Sequence, residues 1–284
     1  MKFLRRLVGR TAGAVINGIG STSWGARVYQ LIANRVMNHV MSVTHDSTTL
    51  KFAVPNHVNS WRVRSFSDKE PETLQWIDKI PQDAVLWDVG ANVGLYSCYA
   101  ARRRGATVFA FEPSVFNLEL LARNVWLNEL CAQVTIVPLP LSERLTNSTL
   151  NMTTTEWGGA MSTFAENVKF DGTALEKVFE FRTLGLSMDQ ARALLGIPAP
   201  DYIKMDVDGI EHMILKGGAD VLRGVRGVLV EINDAFERQA VESAEHLRAA
   251  GLVLKEKRHA EVFDSGALST CFNQIWQRPE TRQL

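Results

Sequence analysis

The sequence predicts an α/β fold: a mostly parallel, doubly wound sheet with a terminal antiparallel hairpin. Three observations carry this expectation. Short apolar runs alternate with amphipathic segments from Ala84 to Pro138 and again from Tyr202 to Ala250. A glycine-containing turn, Asp88-Val89-Gly90-Ala91-Asn92-Val93-Gly94, ends the first run, and two β-rich segments flank Asp264-Ser265-Gly266 near the end. Strands buried on both faces read as unbroken apolar runs, and the helices between them supply the crossovers.

Taken in order, residues 1–45 read as helical, with Val28, Leu31, Ile32 and Val36 at helical spacing. Leu50, Phe52 and Val54 alternate like a strand, Pro55-Asn56 supplies a turn, and Trp61 and Val63 alternate again. Glu72 to Ile80 reads as a short helix broken by Pro81. Ala84 to Val89 is the first core strand, and a helix from Ala91 to Arg104 ends at Gly105. Thr107 to Phe111, a helix opened by Glu112-Pro113-Ser114, and Gln133 to Pro138 repeat the unit. Ser148–Met152 and Lys177–Leu184 read as added strands around a long polar loop, 153–172, which holds Trp157-Gly158-Gly159; loops of that length are commonly functional. Tyr202 to Asp206, Ile210 to Leu222, Gly227 to Ile232 and Glu237 to Ala250 resume the alternation, and Leu252 to Arg258 with Ser269 to Trp276 forms the closing hairpin. The expected division is an N-terminal helical and β segment, 1–65, and a main domain, 66–284.

Composition narrows the function. Lys plus Arg equals Asp plus Glu at 31 each, so no basic excess calls for nucleic acid, and a small polar acceptor is the easier partner. Three widely separated cysteines, Cys98, Cys131 and Cys271, suit buried reduced thiols better than a disulfide framework or a zinc site. At the start, Lys2, Arg5, Arg6 and Arg10 interrupt the apolar residues, which fits neither a secretory signal nor a spanning helix. A cytoplasmic protein is expected; residues 1–20 read as an ordinary helix packed on the domain, with an amphipathic helix touching a membrane surface or a partner as the alternative. Nothing in the sequence sets an oligomeric state.

The candidate site lies at the carboxyl ends of the parallel strands, where doubly wound sheets bind ligands. Asp88, Gly90, Ala91, Asn92 and Gly94 form the turn at the end of the first strand. Its glycines admit unusual backbone angles and a close ligand, and the free amides of the next helix attract an anion. Glu112 ends the second strand, where a carboxylate accepts from ribose hydroxyls. A dinucleotide turn reads G-x-G-x-x-G to seat a pyrophosphate; this one has Asn92 where the middle glycine belongs, which favours a nucleoside ligand without a pyrophosphate. Asp206, Asp208 and Glu211 crowd the end of the fourth major strand, as base, cofactor anchor, helix-start acids or a hard-cation site.

Together these segments resemble the FkbM family of S-adenosylmethionine-dependent methyltransferases. The matching pieces are Asp88 through Ser97, Phe111-Glu112-Pro113-Ser114, Leu141-Ser142-Glu143, Ile203 through Glu211 with Leu215-Lys216-Gly217-Gly218, and Leu229 through Asn233; Lys69 through Leu74 resembles a lead-in to the core. The resemblance implies a Rossmann-like class I methyltransferase fold, S-adenosylmethionine as cofactor, and methyl transfer to a hydroxyl of a glycan or glycosylated small molecule. It implies that Asp88, Gly90, Ala91, Asn92 and Gly94 line the methionine part of the cofactor. Glu112 would hold the ribose, Ser142 would lie near the adenine, and Asp206 would face the methionine end and the acceptor. Asp208 stands where the family more often has Glu, a departure that shortens the carboxylate.

A hydroxyl needs its proton removed before it attacks, so a base is expected from Asp206, Asp208 or His212, with His212 otherwise an ordinary helix-surface residue. No metal is assigned. Trp157 and Tyr96 are candidates for stacking on a sugar, with core packing the plainer reading of Tyr96. Two alternatives remain at this level: an NAD-dependent oxidoreductase, and a non-catalytic membrane- or partner-associated module that keeps the fold.

Overall fold

The computed structural model describes Gly13 and residues 17–279. Most of residues 1–20, the segment with membrane contact as its alternative reading, therefore lies outside the described residues. Helix α1 (Ser23–Met37) is capped by Thr22, whose side chain accepts from the Gly25 amide. Strands β1 (Val40–His45) and β2 (Thr48–Ala53) then form an antiparallel hairpin, succeeded by α2 (His57–Arg64), α3 (Phe66–Lys69) and α4 (Pro71–Lys79).

Two expectations fail here. The first helix stops at Met37 because Val40, Val43 and Thr44 pair across to β2, with Val43 opposite Leu50; β-branched residues suit that pleated surface. Trp61 and Val63 sit on a helix rather than a strand. Asn56 caps it by accepting from the Asn59 amide, and the two side chains diverge, Val63 into the core and Trp61 outward.

The core alternates as expected: β3 (Val85–Val89), α5 (Leu95–Arg104), β4 (Thr107–Phe111), α6 (Val115–Leu127) and β5 (Val134–Val137). A three-stranded antiparallel sheet of β6 (Thr146–Met152), β7 (Ser162–Phe164) and β8 (Phe179–Gly185) interrupts, so the long loop contains a strand of its own. Helix α7 (Met188–Leu195) is an addition to the expected elements; it opens on a capping box between Ser187 and Gln190 and stops at Gly196. Then come β9 (Tyr202–Met205), α8 (Glu211–Lys216), α9 (Ala219–Gly224), β10 (Gly227–Asn233), α10 (Glu237–Ala249), β11 (Val253–Arg258) and β12 (Cys271–Gln277). The single helix expected over 210–222 is broken in two at Gly217-Gly218.

Seven strands form the main sheet in the order β11-β12-β10-β9-β3-β4-β5. The pairs from β10 to β5 are parallel, whereas β12 runs antiparallel to both neighbours and sits inside β11, which forms the edge. This is the expected doubly wound sheet with its terminal hairpin. Alternate residues feed two cores: Trp87, Val89, Phe109 and Phe111 on one face, and Leu86, Val108 and Ala110 on the other. Leu50, Phe52 and Val63 join the second core, and Asn124 and Asn128 accept from the Ala53 and Lys51 amides. Cys98 and Cys271 are buried, but Cys131, just after α6, is exposed, which corrects the expectation of three buried thiols. Among the described residues no helix is long and apolar enough to cross a membrane.

Candidate active site at the carboxyl ends of the parallel strands

The chain winds from β3 outward to β4 and β5, then returns to place β9 on the other side of β3, so the switch point lies between β3 and β9. The turn after β3 meets the turn after β9 there. Gly90, Asn92 and Gly94 all have positive φ, at 80°, 51° and 80°, angles that glycine adopts freely and asparagine tolerates. A Cβ on Gly90 would lie 1.8 Å from the Asp206 carbonyl oxygen, and one on Gly94 would lie 2.3 Å from the Leu121 side chain. The close approach these glycines permit is therefore of chain to chain. The helix expected from Ala91 begins only at Leu95, because residues 90–94 are spent on this turn.

A cleft of two adjoining halves opens at this point. Gly90, Asn92, Ala160, Asp206 and Asp208 line both. The first half, about 560 Å³, has apolar walls from Phe111, Leu139, Leu141, Ile210 and Ile214, with Glu112 as a principal polar group. Its lining, mostly apolar with a few convergent polar groups, is that of a small-molecule site. Glu112 Oε2 accepts from the Asn92 amide and Oε1 from the Ser114 amide, each at 2.8 Å. Burial nevertheless pushes its pKa up to about 7 against these two bonds. Each carboxylate oxygen has a further lone pair to offer.

The second half, about 1110 Å³, is lined by charge and aromatic rings: Arg62, Lys69, Glu70, Lys204 and Glu231 beside Tyr96 and Phe170. Buried Lys204 organises it. Its Nζ lies 3.6 Å from Asp88 Oδ1, 3.5 Å from Asp206 Oδ2 and 5.4 Å from the Tyr96 ring centre. Burial opposes the Lys204 charge, but Asp206, Asp88 and Glu70 outweigh it and raise its pKa. Burial also works against the Glu70 carboxylate, yet Lys69, at 2.5 Å, and Lys204 hold its pKa down at about 2. Burial, with Asp206 and Glu70 nearby, raises Glu231 well above the usual carboxylate range.

Asp208 carries two features on one residue. Its φ is 61°, and its Oδ2 accepts from the Met161 amide at 2.7 Å, tying the turn after β9 to the loop above it. Burial, then the Asp206 charge, pushes its pKa up to about 6. The loop is held elsewhere by its carbonyls. Asn56 and Asn59 donate to Trp157 O, Arg62 to Gly158 O, and Asn92 and Asn117 to Gly159 O. The expected functional loop thus forms one wall of the cleft, through Gly159, Ala160 and Met161.

The other expected site residues divide between the cleft wall and its surroundings. Asp88 lies behind the turn, where Ser97 Oγ donates to it at 2.5 Å and Lys204 faces its other oxygen. Ala91 lines the charged half. Ser142 is buried one residue beyond the apolar wall at Leu141, its amide donating to Leu186 O. Glu211 folds back to accept from the Val207 and Gly209 amides and from Gln239, so Asp206, Asp208 and Glu211 do not converge as one ligand set. His212 is neither on the surface nor in the cleft. It is buried edge-on to Phe236 with neither ring nitrogen bonded, and burial lowers its pKa to about 4. Trp157 packs against the small cluster of Ala53, Val93 and Leu120 and donates to Glu119 Oε2 at 3.1 Å, away from the cleft, whereas Tyr96 does line it.

Reasoning from single positions in the sequence misses Arg62, Lys204 and Glu231. The signal for two of them is present: a lone lysine and a lone glutamate inside apolar strands, Tyr202-Ile203-Lys204-Met205 and Val228-Leu229-Val230-Glu231-Ile232. Charges on buried strands persist when paired or functional.

Known proteins share this chain's sequence features. The family model of the methyltransferase FkbM domain matches residues 88–257. Hexuronic acid methyltransferase AglP of Haloferax volcanii is 27% identical over 191 residues, 67% of this chain and 73% of that protein. Methyltransferase sdnD of Sordaria araneosa is 27% identical over 177 residues, 55% of this chain and 68% of that protein. The crystal structure of methyltransferase FkbM from Methylobacillus flagellatus aligns at a TM-score of 0.46 with 14% identity, covering 70% of this chain and 44% of that one.

Proposed function

The chain belongs to the FkbM methyltransferase family, and from that premise we propose that it methylates a hydroxyl oxygen of a glycan or glycosylated small molecule, with S-adenosylmethionine as donor. The observation that carries this reading is the division of one cleft into an apolar half holding Glu112 and a charged half holding Lys204, Glu70 and Glu231. The apolar half suits an adenine ring, with Glu112 accepting from ribose hydroxyls at its lip. The charged half, reached past Gly90 and Asn92, suits the methionine end and the acceptor beyond it. AglP, by its name, acts on a hexuronic acid, so uronic and neutral sugars are the first acceptors to assay.

The donor supplies an electrophilic methyl carbon. The chain's own residues do the rest. Rigid walls hold the acceptor in line, which is the larger part of catalysis for a displacement of this kind. Asp206 and Asp208 line both halves, and either carboxylate is positioned to take the acceptor's proton; general-base help of this sort is worth about 10²–10⁴ in rate. Lys204 Nζ, 3.5 Å from Asp206 Oδ2, pairs with that carboxylate and fixes its orientation. Tyr96 lines the same half, its ring stacked by Phe66 and capped by Lys204.

Incubation with methyl-labelled S-adenosylmethionine and a panel of neutral and uronic glycosides tests the reading. Label in a base-stable ether on a sugar oxygen is the expected result. Label confined to nitrogen or carbon would overturn the oxygen assignment while leaving the methyltransferase intact.

A further inference from the structure

Helix α1 does not pack like the other long helices. Of its 15 residues only Gly25 is buried. Trp24, Leu31 and Ile32 are 73%, 69% and 57% exposed, and Val36 is exposed as well. These residues, with half-buried Val28, recur at the four- and three-residue spacing that lines one helix face, while Ser23, Gln30 and Asn34 lie on the opposite side. An apolar stripe of this kind needs a partner, because folded chains rarely leave such a face in water.

Charge says which partner. The first 45 residues hold six of the 31 Lys and Arg of the chain and none of the 31 Asp and Glu, so everything after His45 is acidic on balance. Arg27 and Arg35 belong to α1 itself, and Lys2, Arg5, Arg6 and Arg10 precede it. A chain acidic on balance after His45, with a basic, apolar, tryptophan-bearing helix in α1, is complementary to an anionic surface that also accepts apolar side chains. A nucleic acid offers the charge without an apolar phase, and a second copy pairing through the same stripe would bring two Arg27 and two Arg35 to one interface with no acidic residue of α1 to offset them.

We propose that α1 docks flat on an anionic lipid bilayer. Trp24, Val28, Leu31 and Ile32 enter the headgroup region, and Arg27 and Arg35 reach anionic headgroups along their flexible stems. The docking is peripheral, through one helix face. It holds independently of the acceptor assignment and would bring the cleft to substrates carried at a membrane.

Co-sedimentation of the full chain with phosphatidylcholine vesicles, with and without phosphatidylserine, tests it. The chain is expected to sediment with the serine-containing vesicles and to be released by salt. The Trp24→Ser/Leu31→Ser/Ile32→Ser variant should stay in solution, and Arg27→Gln/Arg35→Gln should weaken binding about fivefold per arginine. Unchanged thermal melting and unchanged S-adenosylmethionine binding of the variants would establish that folding is intact. Absence of the wild-type chain from the anionic pellet would overturn the proposal. So would equal sedimentation of the apolar variant, or a wild-type dimer that the apolar variant converts to a monomer without altering vesicle binding.

Discussion

Half-buried Asp208 and buried His212, with opposite titration behaviour, separate function from stability at the residue scale. Burial and the neighbouring Asp206 raise Asp208 to about 6, so a reaction needing its carboxylate slows as pH falls through that value. The rate–pH profile of Asp208→Asn, which keeps an oxygen for the Met161 amide, is expected to lose that inflection along with about a hundredfold in rate; an unchanged inflection would show that another group carries it. His212 works the other way. Its folded pKa is lowered to about 4, so its contribution to stability is full above its unfolded value of about 6.5 and is lost as pH falls through 4. Because neither ring nitrogen has a partner, His212→Leu is expected to stabilise the protein by about 1 kcal/mol and to flatten the acid limb of a pH–melting series. Raised Glu112 and Glu211 oppose that limb: their contribution is full below about 4.5 and falls away as pH rises through about 7. Asp206 and Asp208 are legible in the sequence because they end an apolar strand. His212 is not, because its burial depends on Phe236 and α10 folding across it, a contact between residues far apart in the chain.

Elements are legible where local chemistry decides them and obscure where pairing does. Strands β3, β4 and β9 can be read directly, since both faces are buried and each is an apolar run. The helix at 188–195 is readable too, from Ser187 and Gln190 three residues apart before an apolar stretch and Gly196 after it. Strand β1 and helix α2 are not: Val40–His45 is fixed by its register with β2, and the Asn56 cap, rather than apolar alternation, makes residues 57–64 a helix. The loop over the cleft belongs to this scale. Asn117 holds it at two points, accepting from the Gly158 amide at 3.0 Å and donating to Gly159 O at 3.1 Å. Asn117→Ala is expected to cost about 1–3 kcal/mol of local stability, read as faster amide exchange across 157–161, and to raise KM more than it lowers kcat. Unchanged exchange across those five residues would show that the loop is held by other contacts.

At the scale of the whole molecule, the division between residues 1–65 and 66–284 is one of sequence pattern, and the core crosses it. Leu50, Phe52 and Val63 pack with Ile77 and Leu121, and Asn124 and Asn128 bond the backbone of β2. We propose that the hairpin and the sheet unfold as one unit. Differential scanning calorimetry is expected to give a single transition whose midpoint drops in Asn124→Ala, since that change leaves the buried Ala53 amide unpaired at about 1–3 kcal/mol. Two transitions would instead mark the N-terminal segment as a separate folding unit.

All of this geometry converges on the cleft where the turn after β3 meets the turn after β9, with Glu112 beside it. Calorimetric titration of the full chain with S-adenosylmethionine, wild type against Glu112→Ala, tests that convergence most directly. The expected result is saturable binding by the wild type that weakens about tenfold or more in a variant of unchanged melting temperature, since hydrogen bonds to a charged group contribute about 1.5–3 kcal/mol. A wild-type chain that takes up no S-adenosylmethionine, or a variant that binds it equally well, would contradict the assignment.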